Sequence, residues 1–322
     1  MRVTVTGASG LIGSALVAEL GERGAEVTVL SRNPSRAQEE LGVEAVRWDP
    51  LGEPAPVETL IGRDAVVHLA GENIAQRWSE RSKRAIRESR VLGTRNLLAG
   101  LEAAGGEAAD GATATDDAKA DDEATGGQRP RTLISGSAVG YYGPHGEEPL
   151  DEDAPPGNDF LAETCVAWEA EARKASALGM RVALIRTGVV LNREGGALQK
   201  MLPPFQLGVG GPVAGGDQYI SWIHREDLVG MICAALQDER WSGPINGTAP
   251  EPVTNRELSH ALGHALHRPS LLPVPGFALG LLYGEMAEIV TTGARVMPAK
   301  ALVLGYSFRY PELAEALRSA LD

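Results

Sequence analysis

Short apolar runs rich in β-branched residues alternate with longer segments whose apolar positions recur every three to four residues, and this rhythm fills the first half of the chain. Val3-Thr4-Val5, Val27 to Leu30, Ala65 to Leu69, Thr132 to Ile134 and Val182 to Ile185 read as strands. Leu11 to Arg23, Ser79 to Leu101 and Phe160 to Leu178 read as amphipathic helices. Strands that alternate with helices, and that are apolar on both faces, predict a parallel sheet covered on both sides. After Ile185 the rhythm loosens, with many Gly and Pro between Gly195 and Gly216, and Thr254 to Asp322 reads as mainly helical with Pro breaks. The pattern therefore predicts an α/β chain: a doubly wound parallel sheet with a smaller, mixed but mainly helical C-terminal lobe.

Ala103 to Arg131 breaks the pattern. It is built of Ala, Gly, Asp, Glu and Thr and cannot bury enough apolar surface to offset the entropy of ordering, so it reads as a mobile acidic surface insertion. Seven acids against one lysine between Gly106 and Gly127 account for much of the net charge of −13 carried by the 322 residues. An acidic balance with no basic face argues against a nucleic-acid partner. No run approaches the roughly 18 apolar residues of a membrane span, and Met1-Arg2 leads straight into a strand with no signal-type h-region. The two cysteines, Cys165 and Cys233, give neither a disulfide framework nor metal-type spacing. A cytoplasmic protein acting on a small molecule is the expectation; the sequence does not reveal the oligomeric state.

Thr6-Gly7-Ala8-Ser9-Gly10-Leu11-Ile12-Gly13 sits between the first strand and the first helix, the context in which spaced glycines mean a dinucleotide site. Gly7 permits the tight turn, Gly10 lets the backbone approach a pyrophosphate, and Gly13 lets helix and strand pack closely. Free amides of Ser9, Leu11 and Ile12 and the helix dipole would face the phosphates. The second strand ends Leu30-Ser31-Arg32 with no carboxylate to hold a ribose 2′-hydroxyl, while Ser31 and Arg32 suit a 2′-phosphate. The expected cofactor is NADP(H) on a Rossmann-type sheet. Residues 1–191 are read as this cofactor domain, with 103–131 the insertion, 192–253 as substrate-cap segments and 254–322 as the small helical domain.

At these residues the chain resembles the extended and atypical short-chain dehydrogenase/reductases, in particular the nucleotide-sugar epimerase-like family with its own short C-terminal domain. The resemblance continues through Asp64 to Ile74, Ser89 to Thr94, Ser135 to Gly143, Ser221 to His224 and Gly305 to Pro311. It implies that Leu69 and Ala70 line the adenosine ribose side, with Gly71 next to them also a cofactor-binding residue, and that Arg90, in place of a common asparagine, reaches the cofactor. It also implies that Asp49 lies near the adenine and that Thr187-Gly188-Val189 borders the nicotinamide.

Members of that superfamily normally use Ser, Tyr and Lys, the Tyr acting as acid/base four residues before the Lys. Ser137 matches the serine and is the candidate catalytic residue, but the Tyr and Lys positions fall on Leu161 and Cys165. Three explanations stay open: Tyr141 or Tyr142 as the acid, Glu72 or Glu163 in that role, or a cofactor bound without hydride transfer. The expectation is an NADP(H)-binding oxidoreductase or epimerase acting on a small substrate, sugar nucleotides included, with a non-catalytic sensor or structural module as the alternative. Glu257, His260, His264 and His267 share a helical spacing, but histidines near a helix end explain them more simply, and no metal is expected. His224 and Asp227 read either as cleft residues or as a helix start.

Overall fold

A computed structural model of the chain describes residues 1–110, 129–276 and 284–322, the side chains of 107–110 excepted. Of the expected strands, β1 (Arg2–Thr6), β2 (Glu26–Ser31), β4 (Ala65–His68) and β5 (Thr132–Ala138) form, and β3 (Glu44–Arg47) joins them although the apolar pattern did not mark it. After them come β6 (Pro149–Leu150), β7 (Arg181–Thr187), β8 (Val189–Leu191), β9 (Tyr219–Ile220), β10 (Trp222–His224), β11 (Gly243–Gly247), β12 (Val253–Thr254) and β13 (Arg295–Val296). Seven of them make one sheet in the order β11-β7-β5-β4-β1-β2-β3, every pair parallel. Order reverses beside β1, so the crevice at its carboxyl end is where a doubly wound sheet takes its ligand.

Both faces are covered, as the run of buried residues along β1, β4 and β5 requires. On one face α1 (Leu11–Glu22), α2 (Pro34–Leu41) and α6 (Arg225–Gln237) close a core of Val3, Val5, Leu16, Ile134, Ile185 and Leu228. On the other, α3 (Glu80–Asp110) and α4 (Phe160–Arg173) cover Leu97, Leu101, Leu133, Ala172 and Leu184. A further cluster joins α5 (Gly196–Gln206), α7 (Asn255–Ala265) and the last helix, Leu313–Leu321, around Leu202, Trp222, Leu262 and Leu317.

Two further features depart from the sequence reading. Helix α3 runs on to Asp110, eight residues into the stretch assigned to the insertion, because Ala104 is buried against the Leu101 side of the core and Ala and Glu are strong helix formers; residues 111–128 lie outside the described part. The seventh strand, Gly243-Pro244-Ile245-Asn246-Gly247, has no β-branched run, and its pairing with β7 along 183–187 makes it a strand.

The C-terminal segments are tied to the sheet rather than set apart from it. The buried Asp227 carboxylate at the start of α6 accepts the backbone amides of Arg309 (2.7 Å) and Tyr310 (2.9 Å), and Tyr306 donates its hydroxyl to the Asp227 carbonyl (2.9 Å). Tyr306 and Phe308 pack against the first core. Among the described residues no helix is long and apolar enough to cross a membrane.

Candidate functional site

All seven strands point their carboxyl ends the same way, so the loops that follow β1, β2, β3, β4, β5 and β7 share one edge. The glycine loop is built as its residue types require. Gly7 has φ +71°, and a Cβ there would stand 2.6 Å from the Ala70 nitrogen and the Leu69 carbonyl carbon; one on Gly13 would stand 2.7 Å from Ala8 Cα. Gly10 is the N-cap of α1, with no side chain capping it, and its amide donates to the Gly7 carbonyl (3.1 Å). Ser9, Leu11 and Ile12 therefore surround a helix start whose amides no side chain occupies, the cradle a pyrophosphate needs. The residues present fit a dinucleotide.

Thr6 fixes this loop to the next. Its hydroxyl lies 2.7 Å from His68 Nδ1 and accepts the Ala70 amide (3.3 Å), while the Leu69 amide donates to the Thr6 carbonyl (3.2 Å). Burial pushes the His68 imidazole down to about 4, so it is neutral near pH 7. At the end of β2 the Ser31 hydroxyl accepts the Asn33 amide (3.2 Å), and Asn33 caps α2 through the Arg36 amide. Arg36 is paired with Glu40, leaving the exposed Arg32 as the guanidinium there with no pairing among the described residues. Asp49, after β3, folds its carboxylate back onto the Leu51 amide (3.2 Å).

Beyond β4 the edge opens into a cleft of about 260 Å³. Its floor is Ala138, Val139 and Gly188-Val189 at the ends of β5 and β7; one wall is Ile74 and Trp78 from the segment before α3 with Ile86 and Arg90 on that helix; another is Phe160, Leu161 and Cys165 on α4. Tyr219, Ile220 and 285–294 close the remaining side. Lys83 on α3 is paired with Glu285, and Trp78 meets Phe160 edge-on with ring centroids 5.2 Å apart.

Arg90 joins cleft and cofactor loop. Its guanidinium carbon lies 3.2 Å from where a Cβ on Gly71 would stand; Nη1 donates to the carbonyls of Glu72 (3.0 Å) and Ile86 (3.1 Å), and the group sits 5.2 Å from the Trp168 ring centroid. Its shielding from water lowers its pKa from that of a free arginine.

Ser137 does not face the cleft. Side chains alternate along β5, so the wall residue is Ala138, and the Ser137 hydroxyl donates to Glu169 Oε1 (2.8 Å) inside the protein. Glu169, 2% exposed, also accepts Arg186 Nε (2.8 Å) and Nη2 (3.0 Å) and Arg173 Nη2 (3.0 Å). Burial works to lower the Arg186 pKa, but the Glu169 carboxylate more than offsets it and holds the guanidinium firmly charged. Arg186 Nη1 reaches the Tyr142 hydroxyl (2.9 Å) and the Glu152 carbonyl (3.0 Å), and Tyr142 donates to Asn246 Oδ1 (2.7 Å). The Arg186 guanidinium lies 3.5 Å from the Tyr141 ring centroid. This network pins β5, β7, β11 and α4 together beneath the cleft. Sequence reading missed Glu169 and Arg186, although a charge inside the apolar run Ala183-Leu184-Ile185-Arg186 signals that a buried partner must exist.

The other proposed acids lie elsewhere. Burial pushes the Tyr142 phenol up to about 12. Glu72 accepts Gln76 Nε2 (3.3 Å), and Glu163 is exposed on α4. Leu161 and Cys165 do line the cleft, and burial holds the Cys165 thiol at about 12, un-ionised. Tyr219, which sequence reading did not single out, is the phenol on the cleft wall among the described residues. Glu257 is spent on the capping box of α7 with Thr254, and His260 lies 3.3 Å from the Ser270 hydroxyl. His224 is buried, stacks on Tyr310 at 4.0 Å and is pushed down to about 4 by burial.

Comparison with known proteins places these features in a lineage. Residues 3–246 match the model of the NAD dependent epimerase/dehydratase family, and residues 274–320 match a domain of unknown function, DUF1731. A chloroplastic homologue of epimerase family protein SDR39U1 from Arabidopsis thaliana is 41% identical over 323 residues, covering 100% of this chain and 87% of its own. Epimerase family protein YfhF of Bacillus subtilis is 36% identical, covering 98% and 97%. The crystal structure of human SDR39U1 (isoform 2) with NADPH superposes with a TM-score of 0.83 at 34% identity, covering 100% of this chain and 99% of that one.

Proposed function

The chain belongs to the NAD dependent epimerase/dehydratase family, and from that premise we propose that it is an NADP(H)-binding oxidoreductase acting on a small substrate held in the cleft beside Arg90. One observation carries the reading. The cradle at Gly7 to Gly13, whose helix start no side chain caps, and the cleft adjoin at Gly71 and Arg90, so a dinucleotide seated on the first has the second at its far end.

When bound, the cofactor supplies a hydride; the protein's part is to seat it and to shape the space in front of it. Leu69, Ala70 and Gly71 border the ribose, with Thr6 and His68 holding that loop in register, and Asp49 lies on the adenine side. Arg32, with Ser31, supplies the cation for a 2′-phosphate, which favours NADP(H) over NAD(H); the human relative crystallised with NADPH supports the same choice. Val189 flanks the nicotinamide end, and Ala138 with Leu161 keeps water from it. Ser137 acts from below, holding Glu169 and through it the floor of the cleft.

A second reading, a cofactor-binding module without turnover, is favoured by Leu161 and the un-ionised Cys165 where an acid/base pair would stand. Fluorescence titration with NADPH and NADH, followed by NADPH consumption over a panel of carbonyl compounds, decides between them. The oxidoreductase reading expects tighter NADPH binding and substrate-dependent consumption. NADPH binding with no consumption by any member of the panel leaves the second reading standing.

A further inference from the structure

A guanidinium drawn out of water is costly unless its donors and its charge are met. Arg90 meets that demand only in part. Nη1 is occupied by two carbonyls, which are dipoles and not charges, and the face of Trp168 covers one side. Among the described residues no carboxylate forms a salt bridge with it, although the nearby Glu72 carboxylate favours its charged form, and Nε and Nη2 make no hydrogen bond to them yet are not sealed from water. Arg186, by contrast, has a bidentate carboxylate. Arg90 is also the one cationic side chain among the described residues that line the cleft.

The rest of the cleft states what can accompany the group that Arg90 binds. Ile74, Trp78, Ile86, Phe160, Leu161 and Val189 make an apolar chamber, while Asp159 and Glu288 place negative charge around it and Glu285 is neutralised by Lys83. The volume of about 260 Å³ lies below the roughly 300–1,000 Å³ of pockets that bury drug-sized ligands. A nucleoside diphosphate sugar would bring a diphosphate past Asp159 and Glu288 to a single guanidinium, and would need room for a base and two sugars.

We infer that Arg90 is the oxygen-recognising residue of this cleft, and that its ligand is a small, mainly apolar molecule bearing one carboxylate or carbonyl oxygen, in place of a nucleoside diphosphate sugar. The inference rests on the cleft being the substrate site of an NADP(H)-binding protein. The fork of Nε and Nη2 suits one such oxygen or both oxygens of a carboxylate, and the charge-assisted bonds replace the missing counter-charge. The same donors would stabilise negative charge developing on a carbonyl oxygen.

The test separates cofactor from ligand. NADP⁺ is first titrated into the full-length wild type, Arg90→Met and Arg90→Lys; benzoate and UDP-glucose are then titrated calorimetrically into each protein with and without saturating NADP⁺. Benzoate is expected to bind the wild type and to weaken at least about tenfold in Arg90→Met, with NADP⁺ affinity changed less than about threefold and Arg90→Lys intermediate. Leu161→Trp, which fills the cleft from the α4 wall and leaves the Arg90 residue unchanged, is expected to abolish benzoate binding even if Arg90→Met fails to fold. Equal benzoate affinity in wild type and Arg90→Met, benzoate binding untouched by Leu161→Trp, or UDP-glucose binding as tight as benzoate overturns the inference. So does a tenfold or greater loss of NADP⁺ affinity in Arg90→Met, which makes Arg90 a cofactor ligand. A wild type with no affinity for NADP⁺ sinks the cofactor reading itself, a result seen before any benzoate is added.

Discussion

Removing Glu169 alone should cost more than removing it together with Arg186. Both side chains are 2% exposed and joined by two hydrogen bonds of 2.8 and 3.0 Å. Glu169→Leu strips the charge from beneath a guanidinium that water cannot reach, and breaking one side of a buried pair costs about 3–5 kcal/mol. Burial acts to depress the Arg186 pKa, yet arginine does not shed its proton, so the variant cannot escape by neutralising. In Glu169→Leu with Arg186→Met the uncompensated charge is gone. What remains is the Ser137 hydroxyl without its acceptor and the Glu152 carbonyl without its donor, about 1–3 kcal/mol for each group left unsatisfied and less where either rotates to another partner. Tyr142 keeps Asn246 as its acceptor. Urea unfolding of the four proteins of the cycle measures the difference. The expectation is a coupling energy above about 1 kcal/mol, with the double variant no less stable than the Glu169 single. Single-variant losses that add within about 0.5 kcal/mol would refute the account of the pair as mutually dependent, and with it the claim that the pair holds the cleft floor.

Four further outcomes follow from particular contacts. Gly13→Ala places a methyl 2.7 Å from Ala8 Cα, so the loop must shift, and NADPH affinity by fluorescence titration should fall at least about tenfold, with far-UV circular dichroism unchanged. Arg32→Ala should reduce the preference for NADPH over NADH by about 10–100-fold, matching one lost charge-assisted contact, with NADH affinity itself unaffected. The folded-state pKa of His68, depressed to about 4 against 6.5, makes its contribution complete above pH 6.5 and lost as pH falls toward 4; it amounts to about 3 kcal/mol, and His68→Asn should flatten the stability curve across that window. Asp227→Ala leaves the amides of Arg309 and Tyr310 without their acceptor and should lower the urea midpoint by an amount equivalent to about 1–3 kcal/mol.

The first half of the fold was legible because its signals are local. Gly7, Gly10 and Gly13 stand next to the strand and helix that give them meaning, and each apolar run from Val3 to Ile185 carries its own β-branched signature. What stayed hidden depends on partners distant in sequence. Gly243 to Gly247 is a strand only because β7 lies beside it, and no pattern within five residues of Gly, Pro and Asn could announce that. Ser137 sits in the expected segment, but which way its hydroxyl points is set by Glu169, 32 residues on, and the cleft receives Ala138. Helix α3 outran its expected end because a single buried alanine, Ala104, is a weak mark in an Ala-Gly-Glu stretch. The segments Ser221 to His224 and Gly305 to Pro311 carried the family resemblance without showing what joins them; Asp227 does, through two amides and a tyrosine hydroxyl.

That Asp227 tether sets an order of assembly during translation. The glycine loop emerges from the ribosome well before the last sheet strand at 243–247, and residues 306–310, which fasten onto α6, follow later still. A nascent chain halted midway would carry the nucleotide cradle while the sheet edge at β7 lies bare and the wall at 285–294 does not yet exist. The cradle can therefore form before the cleft does, and only a chain synthesised past the 285–294 segment and residue 310 would present that cleft with its last wall in place.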